Sequence, residues 1–347
     1  MRGLRKYLTP FAPDQSGAVS VLFELGGIVV ICDAGGCTGN VCGFDEPRWF
    51  EQKSAIFSAG LRDMDAILGR DDRLVAKLAD VVQKIDATFV AVIGTPVPAV
   101  IATDYLALKR MSEKKIKLPI LTVDTDGMEL YDKGEEKAFL ELFKIFAIEK
   151  YQAEEDRIGI LGMTPQDVSD LDAADKMREL FQQKYDQQAV CYGMGDGLEE
   201  IKKASSASKN IVVSPAALVA AQYLEKIFGT PYEISYPLAG ELIPEMDYTG
   251  KKILVVHQQV IADSIRRELK ARGAEIVQVA DWFMMKKELR EEGDVFLRDE
   301  DDYIEVVENG DFDIIFADEC MKRMVPEFGG IFVNTRHFAV SGKLIGK

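Results

Sequence analysis

Short apolar, β-branched runs alternate with amphipathic stretches along most of this chain, and that alternation restricts it to one class of fold. Residues 88–94 read as a buried strand, followed by a helix through roughly 100–113 and a second strand at 118–123. The pattern returns with a strand at 157–161, a helix at 170–184, a strand at 188–192, and then a strand at 211–213 feeding a helix at 216–228. It returns again with a strand at 252–256, a helix at 262–272, and strands at 275–279, 313–316 and 330–333. Strands alternating with helices imply parallel sheets covered on both faces. The expected fold is α/β: three Rossmann-like domains, each a parallel β-sheet flanked by helices, around a central cleft. Charged residues accumulate at 147–156, and 237–251 carries prolines and glycines, which divides the chain into 1–150, 151–240 and 241–347.

Composition narrows the function. With 347 residues the chain is long enough for two or three filled cores. A net charge of −16 repels polyanions, so nucleic acid and anionic lipid are not expected partners. The apolar runs are too short to cross a bilayer. The basic start Met1-Arg2-Gly3-Leu4-Arg5-Lys6 runs into a polar, proline-containing stretch and not a secretory core. Five cysteines make a disulfide framework a poor expectation, so a reducing cytoplasm is the expected location.

Three of those cysteines fall in Cys32-Asp33-Ala34-Gly35-Gly36-Cys37-Thr38-Gly39-Asn40-Val41-Cys42, read as a glycine-rich turn directly after the apolar run 27–31. Thiolates suit iron–sulfur clusters, zinc or copper(I), and glycines such as Gly35 and Gly36 let backbone approach a bulky group. The spacing is not that of a closed zinc cage. Two readings stand: an open or shared metal site, or small residues on a buried turn. Cys37 is the first candidate ligand and Cys42 the second. Cys32 reads as core, and Cys191 and Cys320 as structural. His257 ends an apolar strand at its carboxyl edge, where a proton donor, a ligand or a satisfied near-core histidine would each fit. His337 carries the same balance. The run Trp282-Phe283-Met284-Met285 reads as core packing. There is no phosphate-binding glycine motif after a strand and no hydrolase triad order.

Four stretches, in order, resemble the nitrogenase component 1 family, which also holds cofactor-assembly scaffolds and dark-operative tetrapyrrole reductases. They are 12–19 leading to Asp33-Ala34-Gly35-Gly36-Cys37, then Met64-Asp65-Ala66-Ile67-Leu68-Gly69, then Gly195-Asp196-Gly197-Leu198-Glu199-Glu200-Ile201, and Leu224-Glu225-Lys226-Ile227-Phe228-Gly229-Thr230-Pro231. The resemblance spans nearly the whole chain. In the family's cluster-holding subunits the first domain offers three cysteines. Cys37 matches the central one, the segment 10–17 has none, and Thr95 stands in the later position. Where a cysteine follows the middle-domain strand in cofactor-holding subunits, this chain has Ser214, and His337 lies near their C-terminal histidine position.

The resemblance implies an oxidoreductase subunit doing iron–sulfur-dependent reductive chemistry, fed by an ATP-dependent iron-protein partner. With these positions replaced, dinitrogen reduction is not expected. It further implies a [4Fe-4S] cluster shared between subunits of a homodimer, or of a heterodimer with a paralogue, held by Cys37 and Cys42. Gly35, Gly36, Thr95 and Ser214 are expected to line cofactor sites, with His257 and His337 as catalytic candidates and a small-molecule or tetrapyrrole-like ligand in the cleft. The alternative is a non-catalytic scaffold that holds a metallocofactor.

Overall fold

The computed structural model describes residues 5–52 and 54–346, so residues 1–4 of the basic start lie outside it. Thirteen strands among the described residues form three sheets. The first holds β1 (Ile28–Ile31), β2 (Ala55–Ser58), β3 (Val90–Ile93) and β4 (Ile120–Val123) in the order β2-β1-β3-β4. The second holds β5 (Glu154–Leu161), β6 (Gln188–Tyr192), β7 (Ala207–Val212) and β8 (Tyr232–Ile234) in the order β6-β5-β7-β8. The third holds β9 (Lys252–Val256), β10 (Ile276–Asp281), β11 (Val295–Phe296), β12 (Ile314–Ala317) and β13 (Ile331–Asn334) in the order β11-β10-β9-β12-β13. Every pairing is parallel. The central strands β1 and β3 are buried at every position, which is why they read as unbroken apolar runs.

Two expectations change. The segment read as a glycine-rich turn is a short α-helix, Gly36–Asn40, continued by a π-helical turn, Val41–Asp45. Gly35 permits the entry with φ 120°, and Asp33 fixes it by accepting from the Thr38 N–H at 2.8 Å. The helix expected over 100–113 is two helices, Pro96–Val100 and Tyr105–Lys115. Prolines open the first, and Asp104 caps the second by accepting from Ala107 N at 2.9 Å.

The sheets are tied together by the helix Tyr131–Phe146, which follows β4. Its buried face carries Ala138, Phe139, Leu142, Phe143 and Phe146 into one apolar core that contains residues of both the first and second sheets. Each of the four larger side chains contributes roughly 1.5–3 kcal/mol of burial. Its amino-terminal turn crosses the fully buried helix Asp14–Leu22 at backbone contact. A Cβ on Gly134 would stand 1.7 Å from Asp14 O, and one on Gly17 would stand 1.9 Å from Tyr131 O. Both glycines are there because nothing larger fits. A second core joins the second sheet to the third through Ile158, Met177, Ile211, Ile253, Val255 and Phe316.

Candidate functional site

In a parallel sheet, ligands bind beyond the carboxyl ends of the strands, where the strand order reverses direction. The reversal lies between β1 and β3 in the first sheet, β5 and β7 in the second, and β9 and β12 in the third. Cys37 follows β1 and Thr95 follows β3; Ser214 follows β7; His257 follows β9. Each of these candidates therefore occupies the switch point of its own sheet.

At the first switch point, Cys37 is half-buried on the short helix and Thr95 is fully buried. The Thr95 hydroxyl donates to Cys32 O at 2.6 Å and also neighbours the Cys37 thiol. Burial raises the Cys37 thiol above its ordinary value, and Asp33 adds to the shift. Asp33 is itself held by the Ser58 hydroxyl at 2.5 Å. Cys42 is half-buried on the π turn, raised by burial and then by Glu46. Both thiols pack against the apolar core that joins the first two sheets. Cys32 is buried and pushed up to about 12, by burial first, as a core cysteine should be. Cys191 is likewise buried and pushed up to about 12 by burial.

No group of three or more His, Cys, Asp or Glu among the described residues is arranged to hold a metal ion. A cluster ligated within one chain therefore does not fit the residues present. The surface around Cys37 and Cys42 is open. A Cβ on Gly36, Gly39 or Gly43 would meet nothing within 4 Å. All four loops at this edge carry exposed apolar side chains: Phe44 after β1, Met64 and Ile67 after β2, Val100 after β3 and Met128 after β4.

The second and third switch points converge on each other. Gln258 donates from Nε2 to Val213 O at 2.7 Å, and Phe338 N donates to Ser169 Oγ at 2.6 Å. Between them lies a fully buried chain. The Tyr131 hydroxyl donates to Asp167 Oδ1 at 2.6 Å and lies 3.2 Å from His337 Nε2. A phenol has one proton, so the imidazole N–H must donate to the tyrosine oxygen, which makes His337 the neutral Nε2–H tautomer. His257 Nδ1 accepts from Gln258 N at 2.9 Å, so its Nε2–H donates to Arg336 O at 3.1 Å. The two imidazoles stack at 4.2 Å between centroids, 8° from parallel, as neutral rings can. Burial pushes His257 down to about 4 and holds His337 well below its usual range, where neighbouring His257 adds to the effect. Ser214 is buried with its Oγ accepting from Ala216 N, and it faces the Asp167 carboxyl. Ser214 and His337 are thus linked through Asp167 and Tyr131, whose side chains occupy the span between them.

The buried acids Asp132, Glu135, Asp167 and Asp281 all stand near this junction. Sequence reasoning singled out none of them, because a lone carboxylate in a helix or at a strand end reads as surface. A cavity of about 800 Å³ opens beside the junction, between the extended segment 9–13, the π turn with Asn40 to Pro47, Gln166, and the carboxyl-terminal segment 338–344. Arg48 anchors its wall. It is buried, forks onto both Glu46 oxygens at 2.7 Å and reaches Ser20 O at 2.6 Å.

The sequence profile of the nitrogenase component 1 type oxidoreductases matches residues 14–241. The chain belongs to that family. Two solved structures of nitrogenase Cp1 share the fold of this nitrogenase component 1 relative. The one at pH 6.5 has a TM-score of 0.74 and 12% identity, covering 96% of this chain and 87% of that one. The one at pH 5 has a TM-score of 0.69 and 16% identity, covering 99% and 87%. A search of curated proteins returns no match. No helix among the described residues is long and apolar enough to cross a membrane.

Proposed function

We propose that this nitrogenase component 1 family member is the substrate-holding subunit of a two-component reductase, with a [4Fe-4S] cluster shared between two subunits at the carboxyl edge of the first sheet. The observation that carries this reading is Cys37, half-buried at the switch point, beside uncrowded glycines and exposed apolar side chains from all four loops. An apolar surface on so acidic a chain is one that a partner covers. A [4Fe-4S] cluster takes four thiolates, and a two-fold axis would present Cys37 and Cys42 from both chains. The π turn that carries Cys42 is an irregularity found mostly at functional sites. Such a cluster, when bound, supplies one-electron transfer; an ATP-dependent iron–sulfur protein is the donor this reading requires.

The cavity of about 800 Å³ is large enough for an organic or tetrapyrrole-like substrate. Tyr131 and Asp167 filling the span between Ser214 and His337 argues against dinitrogen chemistry, and equally against a scaffold that stores a metallocofactor there. His257 and His337, buried and absent from the cavity wall, act in this reading as neutral groups that hold the junction behind it. The test is iron content and visible absorbance of protein purified without oxygen. Cys37→Ser should lose both, and Cys191→Ser and Cys320→Ser should keep both. Equal loss in all three, or no loss in Cys37→Ser, would sink the assignment.

A further inference from the structure

Two carboxyl groups at the junction of the sheets present a hydrogen-bonding problem that one proton solves. Glu135, on the helix Tyr131–Phe146, accepts from the Thr164 hydroxyl through Oε1 at 2.6 Å, and its Oε2 is buried with no partner. Asp167, after β5, accepts from the Tyr131 hydroxyl through Oδ1, and its Oδ2 is buried with no partner. Both residues are essentially inaccessible, at 0% and 1% exposure, and their carboxyls lie in contact. Two carboxylates can only accept, so facing oxygens would repel and leave two orphaned acceptors in the core.

We propose that Glu135 and Asp167 share a single proton, Glu135 Oε2–H donating to Asp167 Oδ2, and that this proton locks the three sheets against one another. It would satisfy both orphaned oxygens at once and leave one buried charge, on Asp167. That charge is faced by the Tyr131 hydroxyl and by Ser214, and behind Tyr131 stands the His337 N–H. The resulting chain runs from the helix after the first sheet, through the second sheet, to the carboxyl-terminal segment of the third. Burial, then the facing Asp167, raises Glu135 well above the usual carboxyl range, while burial lifts Asp167 only to about 6. Asp167 is faced by the Tyr131 and Ser214 hydroxyls and Glu135 by that of Thr164, so the charge rests on Asp167 and Glu135 keeps the proton.

The other titratable groups here are Asp132, lifted to about 6 by burial, Asp281 and Tyr131, both raised well above their usual ranges by burial, the two depressed histidines, and Asp318, whose side chain accepts from His337 N at 3.0 Å. The histidines and Asp132 have finished titrating by neutral pH. Glu135 and Asp281 are the carboxyls here that burial raises well above their usual range. A carboxyl raised in the folded state contributes stability at acid pH that is lost as pH rises through its folded value.

The experiment uses the full chain and needs neither metal nor partner, so its outcome is separate from that of the reductase reading. Infrared spectra at neutral pH should contain a protonated carboxylic C=O component that shifts in heavy water. Glu135→Gln should remove it, and Asp281→Asn should leave that component in place. In parallel, amide exchange along the helix Tyr131–Phe146 is compared between wild type and Glu135→Gln from about pH 7 to 9. The glutamine amide donates to Asp167 Oδ2 in the proton's place and does not titrate. Wild-type protection should fall relative to the variant, by up to about tenfold per pH unit for one linked proton. If Glu135→Gln does not fold, Asp167→Asn serves, with the amide donating the other way. A carboxylic component untouched by either substitution, or identical pH dependence of exchange in wild type and variant, would overturn the shared proton.

Discussion

Tyr131→Phe isolates the hydroxyl that joins the three sheets. The phenyl ring keeps its volume and its edge contact with Phe283 at 4.8 Å, so no cavity opens. What goes is the 2.6 Å bond to Asp167 and the acceptor for the His337 N–H at 3.2 Å. Asp167 is a carboxylate at neutral pH, so the lost bond is charge-assisted, worth about 1.5–3 kcal/mol, and stranding the imidazole N–H costs about 1–3 kcal/mol more. The two share one network, so the sum falls at about 2–5 kcal/mol. Urea unfolding at neutral pH, followed by near-ultraviolet circular dichroism and by fluorescence of Trp282 and Trp49, reads the change. A loss below about 0.5 kcal/mol, the scale of a surface substitution, would refute the chain through Tyr131.

Other outcomes follow from the same geometry. His257→Gln keeps an acceptor and a donor at the right places but removes a group depressed to about 4. Because a depressed histidine contributes stability that is lost as pH falls below about 6.5, the variant should lose less stability than wild type between about pH 7 and 4.5, by on the order of 2 kcal/mol. Equal losses would contradict the buried neutral imidazole. Gly134→Ala puts a methyl 1.7 Å from Asp14 O and should cost about 3 kcal/mol or more in unfolding measurements, the upper end for overpacking; a neutral effect would contradict the helix crossing. Val100→Glu, at a side chain 85% exposed, should leave unfolding unchanged but weaken self-association at least about tenfold in sedimentation measurements. Unchanged association would move the interface elsewhere.

The apolar strands were legible because a parallel strand buried on both faces leaves an unbroken run, as at Val90–Ile93 and 253–256. The positions of Cys37 and His257 just past strand ends followed from the apolar runs, whereas Thr95 and Ser214 came only through the resemblance. The helix Tyr131–Phe146 was not legible, since its buried face begins with Tyr131, Asp132 and Glu135, which break an apolar stripe. The helix Asp14–Leu22 came only through resemblance. It is buried all round and carries serines and glycine, so it has no amphipathic period. Gly36–Asn40 read as a turn because glycine disfavours helix; Asp33 and the open φ of Gly35 outweigh that propensity. The shared-proton acids were invisible for a different reason. Only three-dimensional proximity turns two ordinary carboxylates, thirty-two positions apart in sequence, into a pair.

The central claim is that the edge around Cys37 is a part-site that a second subunit completes. Light scattering of protein purified without oxygen, with iron determined on the same fractions, tests it most directly. A dimer carrying one iron–sulfur cluster per pair of chains, falling toward monomer when iron is chelated, is the expected result. A monomer with the same mass in iron-loaded and chelated samples, or iron bound in full by Cys37→Ser protein, would contradict it.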